Sequence, residues 1–163
     1  MEETKGNVLD VSEGIIAHGC NALGVMGAGI AKQIKERYPE AFRVYKQWER
    51  ENGLALGSVS FAQVGPRLWI ANVVTQERIY GARGECLADL DAIEAGFAAV
   101  GRKARSLGLR VEMPLVGCGL AGGQWSDVRP RVVAGLGQGV ESRLWIFEPS
   151  ACPARAAAPR RPI

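Results

Sequence analysis

The sequence has little of what usually announces chemistry. It has one histidine, His18, and four cysteines, Cys20, Cys86, Cys118 and Cys152, with no C-x-x-C pair. Neither a zinc finger nor a thioredoxin-like redox motif can be built from that set. No G-x-x-x-x-G-K-[ST] stretch is present, which argues against a P-loop ATPase, and no serine stands in a nucleophile-elbow sequence. No apolar run approaches the ~20 residues of a membrane span. No basic segment followed by an apolar block reads as a signal peptide, so a reducing, cytoplasmic compartment with free thiols is expected.

Excess charge is also scarce. Twenty basic residues face 17 acidic ones, a net +3. Arg155, Arg160 and Arg161 supply that whole excess from the segment 150–163, SACPARAAAPRRPI, which has no acid. Rich in alanine, proline and arginine, with almost nothing to bury, that tail is expected to be disordered. Residues 1–149 then form one domain with balanced charge, and nucleic acid is not the expected partner.

Glycine is what the chain has in quantity: 21 of 163 residues, against the ~7% usual in proteins. Its placement follows an alternation of strands and helices. Val8–Val11 and Gly14–Cys20 read as strands, the second being the continuous apolar run GIIAHGC of a strand buried on both faces. A glycine-rich turn leads into a helix over Ile30–Tyr38. Pro39 suits a first helical position, Phe42, Tyr45 and Trp48 mark one helix face, and Asn52-Gly53 ends that helix.

Ser58–Val64 and Leu68–Val74 read as a hairpin around Gly65-Pro66-Arg67. Leu87, Leu90, Ile93, Phe97, Val100, Ala104 and Leu107 recur at steps of three or four and predict a helix. Arg110–Met113 reads as a strand. Ser126 is expected to cap a helix running to about Val140, although Gly135, Gly137 and Gly139 each cost it about 1 kcal/mol relative to alanine. Arg143–Phe147 closes as a strand. The order predicts an α/β domain with a largely parallel sheet and one antiparallel hairpin.

Two glycine clusters, Gly24–Gly29 and Gly117–Gly123, each follow a strand and precede a helix. In such sheets ligands bind beyond the carboxyl ends of the strands. Glycine lets backbone N–H groups approach an anion, and a helix N-terminus adds a favourable dipole. Two such loops suggest a cradle for a diphosphate. His18, three residues before the glycine-rich loop that starts at Asn21, can be read as a general acid–base or as a satisfied core residue. Asn21 offers a donor and an acceptor to a sugar diol, or simply introduces the turn.

HGCNALGVMGAGIA (18–31) followed by MPLVGCGLAGGQW (113–125) resembles the macrodomain family, which binds ADP-ribose. The likeness covers residues 5–148 and is greatest to the branch holding ADP-ribose-1″-phosphate phosphatases and terminal ADP-ribose glycohydrolases. It implies a three-layer α/β/α fold with a mixed, largely parallel central sheet. It also implies that Asn21, Gly27, Ala28, Gly29 and Ile30 wrap the distal ribose and one phosphate. Val116, Gly117, Cys118, Gly119, Leu120 and Ala121 would hold the diphosphate, with Asn7, Val8 and Phe147 bordering the adenine.

Departures from the family are informative. Asn7 stands where an aspartate is usual, keeping an acceptor oxygen but losing the charge. Val74-Thr75-Gln76-Glu77 lacks the lysine of the glycohydrolase branch, and Ala121 and Gln124 replace carboxylates found in relatives. His18 and Asn21 are then the expected catalytic pair, removing a phosphate or an ester-linked group from the distal ribose. A non-catalytic ADP-ribose reader and a DNA de-ADP-ribosylating antitoxin-like glycohydrolase are the alternatives. The implied partner is ADP-ribose or an ADP-ribosylated substrate, with no metal, cofactor or membrane, and a monomer is expected.

Overall fold

A computed structural model describes residues 1–148, so the expected disordered tail lies outside the described residues. Six strands, β1 (Glu2–Lys5), β2 (Gly14–Asn21), β3 (Val59–Gly65), β4 (Leu68–Gln76), β5 (Val111–Met113) and β6 (Ser142–Ile146), form one sheet in the order β1-β6-β5-β2-β4-β3. Every pairing is parallel except the β3–β4 hairpin. Helices α1 (Gly29–Arg37) and α2 (Pro39–Asn52) cover one face, and α3 (Leu90–Leu107) and α4 (Trp125–Leu136) the other. The result is a three-layer α/β/α domain. Among the described residues no helix is long and apolar enough to cross a membrane.

β2 lies at the centre, hydrogen-bonded to β5 and β4. Its alternation sends Ile15 and Ala17 toward Phe97, Val111 and Val132, and Ile16 toward Ile34 and Ala41. A strand sandwiched between two helical layers must be apolar on both sides, which is why it reads as a run and not as an alternation. The hairpin, the Pro39 start of α2, its stop at Gly53 and the long amphipathic α3 all stand where the sequence puts them.

Three expectations need correction. Val8–Val11 is not a strand: Val8–Asp10 forms a 3₁₀ turn, because the Asn7 side-chain oxygen accepts from Leu9 N–H at 2.9 Å and caps it. The first strand is instead β1, whose sequence EETK is too charged to signal a strand by apolar pattern. It is an exposed edge strand paired in parallel with β6, and the Arg143 guanidinium donates to the Glu2 carboxylate at 3.1–3.2 Å. α4 begins after Gln124 and stops at Leu136, so Ser126 lies inside it and Gly137, at φ 71°, ends it.

Gly135 does lie inside α4, and contact with α3 supplies the reason. A side chain at Gly135 would strike the Glu94 carbonyl oxygen, and one at Gly101 would sit 2.5 Å from the Leu136 carbonyl oxygen and 3.1 Å from its Cα. The two helices touch backbone to backbone at both positions. Gly101→Ala should therefore destabilise the fold. Overpacking of about 1–3 kcal/mol is expected to outweigh the roughly 1 kcal/mol gained in helix propensity. Urea unfolding measures this, and an unchanged midpoint would show that the helices separate freely.

Candidate functional site

Parallel pairing brings the carboxyl ends of β1, β6, β5, β2 and β4 to one edge of the sheet. Five segments leave from that edge: residues 6–8, residues 147–148, loop 2 (114–124), loop 1 (22–28) and the segment 77–88. Read across the sheet, this order places Asn7 and Phe147 together at one end, loop 2 at the centre and loop 1 beyond it. Gly6 N–H donates to the Ile146 carbonyl at 3.0 Å, fixing the β1 exit beside the β6 exit. Phe147 is 61% exposed there, whereas the Val8 side chain is buried in the core and offers the site only backbone.

Loop 1 is shaped by Asn21. A register shift between Cys20 and Asn21 turns that side chain out of the regular pleat. Its Nδ2 donates to the Val25 carbonyl at 2.7 Å, and its Oδ1 accepts from the N–H groups of Leu23 (3.0 Å) and Val25 (3.3 Å). The buried Tyr45 hydroxyl on α2 donates to the Asn21 carbonyl at 2.5 Å, and Lys46 Nζ donates to the Gly24 carbonyl at 3.3 Å. Asn21 is thus committed to the turn, and its geometry suits positioning of the loop more than direct contact with a sugar.

What loop 1 leaves over is backbone. Among the described residues, the N–H groups of Gly27, Ala28, Gly29 and Ile30 have no protein acceptor, and Ala28 caps α1 without a side-chain hydrogen bond. The first amides of a helix lack intrahelical partners in any case, and there the helix dipole favours an anion. Gly29 has φ 57°, which a side chain rarely adopts.

Loop 2 divides its amides between fold and surface. Val116 N–H donates to Pro114, Cys118 to Leu115, Gly122 to Gly119 and Gly123 to Gly117. Those of Gly117, Gly119, Leu120 and Ala121 have no protein acceptor among the described residues. Four of the six expected loop 2 positions are thus open donors, and Val116 and Cys118 are not. The loops face one another: a side-chain carbon built at Gly29 would lie 3.7 Å from Leu120 Cδ1.

His18 does not join them. Its ring is 0% exposed, on the same side of β2 as Ile16 and Cys20, beneath α2. Nε2 lies 2.8 Å from Asn72 Oδ1. Asn72 Nδ2 donates to the Ala41 carbonyl (3.0 Å) and to Ser60 Oγ (3.1 Å), so Oδ1 is the acceptor and His18 carries its proton on Nε2. Burial pulls its pKa down to about 4, against a smaller upward pull from Asn72. A neutral, enclosed imidazole with its donor spent sits in the core and does not face the two loops.

Sequence reasoning missed Tyr45 and Lys46 as holders of loop 1, and the segment 77–88 as a neighbour of loop 2. That segment carries Tyr80, 82% exposed, and an Arg78–Glu85 ion pair. It packs on loop 2 through Leu87 N–H, which donates to the Ala121 carbonyl at 2.7 Å. Gln76, where β4 ends, turns its amide to the Arg78 carbonyl at 2.6 Å. A cavity of about 460 Å³ lies elsewhere, lined by Ser12, Arg110, Glu112 and Trp145 near the amino ends of β5 and β6. It is separate from these loops.

A three-layer α/β/α domain with two amide-lined loops beyond its parallel strands defines the class. The Macro domain family matches residues 17–132, and the chain belongs to that family. The DNA ADP-ribosyl glycohydrolase of Mycobacterium tuberculosis is 30% identical over 149 residues, covering 89% of this chain and 41% of that protein. The chain thus spans about two fifths of that relative's length. The ADP-ribose 1″-phosphate phosphatase of Candida albicans is 27% identical over 120 residues, 69% of this chain and 76% of that protein. Among solved structures, the macrodomain of Mycobacterium tuberculosis DarG superposes with a TM-score of 0.74 at 29% identity, covering 91% of this chain and 97% of that one.

The enclosed histidine sets a pH dependence. Its folded pKa of about 4 lies below the unfolded value of 6.5. The unfolded chain therefore takes up the proton first as pH falls. Stability contributed by the neutral ring is fully present above about pH 6.5 and is lost progressively down to about pH 4, a loss on the order of 3 kcal/mol. Nitrogen-15 NMR should find the His18 ring neutral, with the proton on Nε2, at pH 5.5. A ring titrating near 6.5 would return His18 to the list of accessible acids and bases.

Proposed function

We propose that this chain binds ADP-ribose along the carboxyl edge of its sheet and hydrolyses derivatives substituted on the distal ribose. The observation that carries the binding reading is the set of open amides, Gly27–Ile30 on one loop and Gly117 with Gly119–Ala121 on the facing one. A diphosphate needs several donors converging from two sides, and hydrogen bonds to a charged acceptor each contribute about 1.5–3 kcal/mol. The basic and acidic residues of 1–149 balance, so backbone donors rather than excess lysine and arginine supply the attraction.

The strand order supports a layout for the rest of the ligand. The exposed ring of Phe147 would give the base an apolar border, while Asn7 Nδ2 has no partner among the described residues and the oxygen that caps Leu9 keeps one further lone pair. The distal ribose then falls at loop 1, held in shape by Asn21 and Tyr45. Hydrolysis is supported by the names of the relatives, one acting on ADP-ribosylated DNA and one on ADP-ribose 1″-phosphate. Both names give hydrolysis of an ADP-ribose derivative, and the proposal extends to that chemistry without choosing the leaving group.

The enclosure of His18 and the glutamine at the end of β4 favour a second reading, a reader that binds without turnover. Calorimetric titration with ADP-ribose tests the common part: no binding at millimolar ligand sinks both readings. Gly119→Pro removes one open amide where nothing lies within 4 Å of a built side-chain carbon. It should weaken binding about tenfold or more, because roughly 1.4 kcal/mol corresponds to a factor of ten. Release of ADP-ribose from modified single-stranded DNA, or of phosphate from ADP-ribose 1″-phosphate, supports the hydrolase. Binding with both substrates intact supports the reader.

A further inference from the structure

Two cysteines that the binding chemistry does not use stand on segments packed against each other at the site. Cys86 is exposed on the segment between β4 and α3, and Cys118 is half-buried in loop 2. The two segments are in close contact along several residues. Leu87 N–H donates to the Ala121 carbonyl at 2.7 Å, and a side-chain carbon built at Gly122 would lie 2.9 Å from the Glu85 carbonyl oxygen and 3.7 Å from Cys86 Cα. One built at Gly117 would lie 3.1 Å from Ala88 Cβ.

Each thiol lies against a carbonyl of its own segment, beside this contact. Cys86 Sγ lies 3.7 Å from the Ala88 carbonyl oxygen, and Cys118 Sγ 3.4 Å from the Val116 carbonyl oxygen, while Ala88 and Gly117, each next to or within two residues of a thiol, are in contact across the segments. Burial raises the Cys118 pKa, with a further upward push from Cys86, as two neighbouring thiols require. Cys86, the exposed partner, is the one a solvent oxidant meets first.

We propose that Cys86 and Cys118 are a redox-modifiable pair whose disulfide ties the segment 77–88 to loop 2 and weakens the binding of ADP-ribose. A peroxide oxidises the Cys86 thiolate to a sulfenic acid, with loss of water or alcohol from the peroxide. The Cys118 thiolate then attacks that sulfur, forming the S–S bond and expelling the oxygen as water. Two thiols are oxidised by two electrons and one peroxide O–O bond is reduced. Drawing Cys118 Sγ away from the Val116 carbonyl rotates the backbone whose amides at Gly117 and Gly119 face the ligand. The effect on binding rests on the proposed ADP-ribose reading; the disulfide itself does not.

The test uses the full chain carrying Cys152→Ser, treated with hydrogen peroxide and then mapped by non-reducing peptide mass spectrometry. The expected result is a peptide containing Cys86 linked to one containing Cys118, reversed by dithiothreitol. ADP-ribose affinity should fall at least tenfold on oxidation and return on reduction. Cys86→Ser should abolish both the link and the fall while leaving the affinity of the reduced protein unchanged. Absence of the Cys86–Cys118 link, pairing of either thiol with Cys20, or a link that leaves affinity unchanged overturns the proposal. A reduced protein that does not bind ADP-ribose defeats the ligand reading instead, and the mass spectrum still decides the disulfide.

Discussion

Because β2 hydrogen-bonds in parallel to β4 on one side and to β5 on the other, the chain must leave all three strands at the same edge of the sheet. Each exit then needs a crossover through a helix before the next strand, so each loop ends at a helix start. That constraint sets loop 1 against the amino end of α1 and loop 2 against the amino end of α4. β6 and β1 extend the parallel order and bring Phe147 and Asn7 to the same edge. A ligand with separate base, diphosphate and sugar parts matches a site laid out along strand ends.

The electrostatics follow from the same geometry. The domain's charges are largely spent on one another at the surface, in pairs such as Lys5–Glu148, Arg67–Glu13 and Arg131 with Asp91 and Glu94. Exposed pairs of this kind contribute little to stability and leave little field to attract an anion. Open amides behave differently, because they are fixed by the fold and bring no mobile side chain to order on binding. Glycine at these positions keeps the backbone accessible, and at Gly29 and Gly117, with φ 57° and 71°, it also permits the turn.

Much of this was legible in the sequence, for identifiable reasons. β2, the hairpin, α2 and α3 have strong periodicity or sharp stops, and the two glycine clusters mark both loops. β1 was not legible because an edge strand of four mostly charged residues gains its stability from ladder hydrogen bonds and from Glu2 meeting Arg143, 141 positions away. The turn at Val8–Asp10 was obscured because VLDV has the composition of a strand, while the cap that decides otherwise is a side-chain choice by Asn7. Tyr45 was readable as a face marker on α2, but its hydroxyl partner lies 24 residues away and no local pattern encodes it. Pleat parity could have placed His18: it shares a face with Ile16 and Cys20, two residues away on either side.

The one histidine nevertheless reaches the site indirectly, through packing. His18 holds Asn72 Oδ1, which leaves Asn72 Nδ2 to bind the Ala41 carbonyl in the first turn of α2 and Ser60 on β3. Buried polar groups carry a large penalty if left unpaired, so this set specifies where α2 sits on the sheet. One turn further along the same helix, Tyr45 and Lys46 grip the carbonyls of Asn21 and Gly24. The position of α2 thereby sets the shape of loop 1 and the direction in which its open amides face. His18 thus contributes order: it fixes a helix, the helix fixes a loop, and the loop sets where its open amides face.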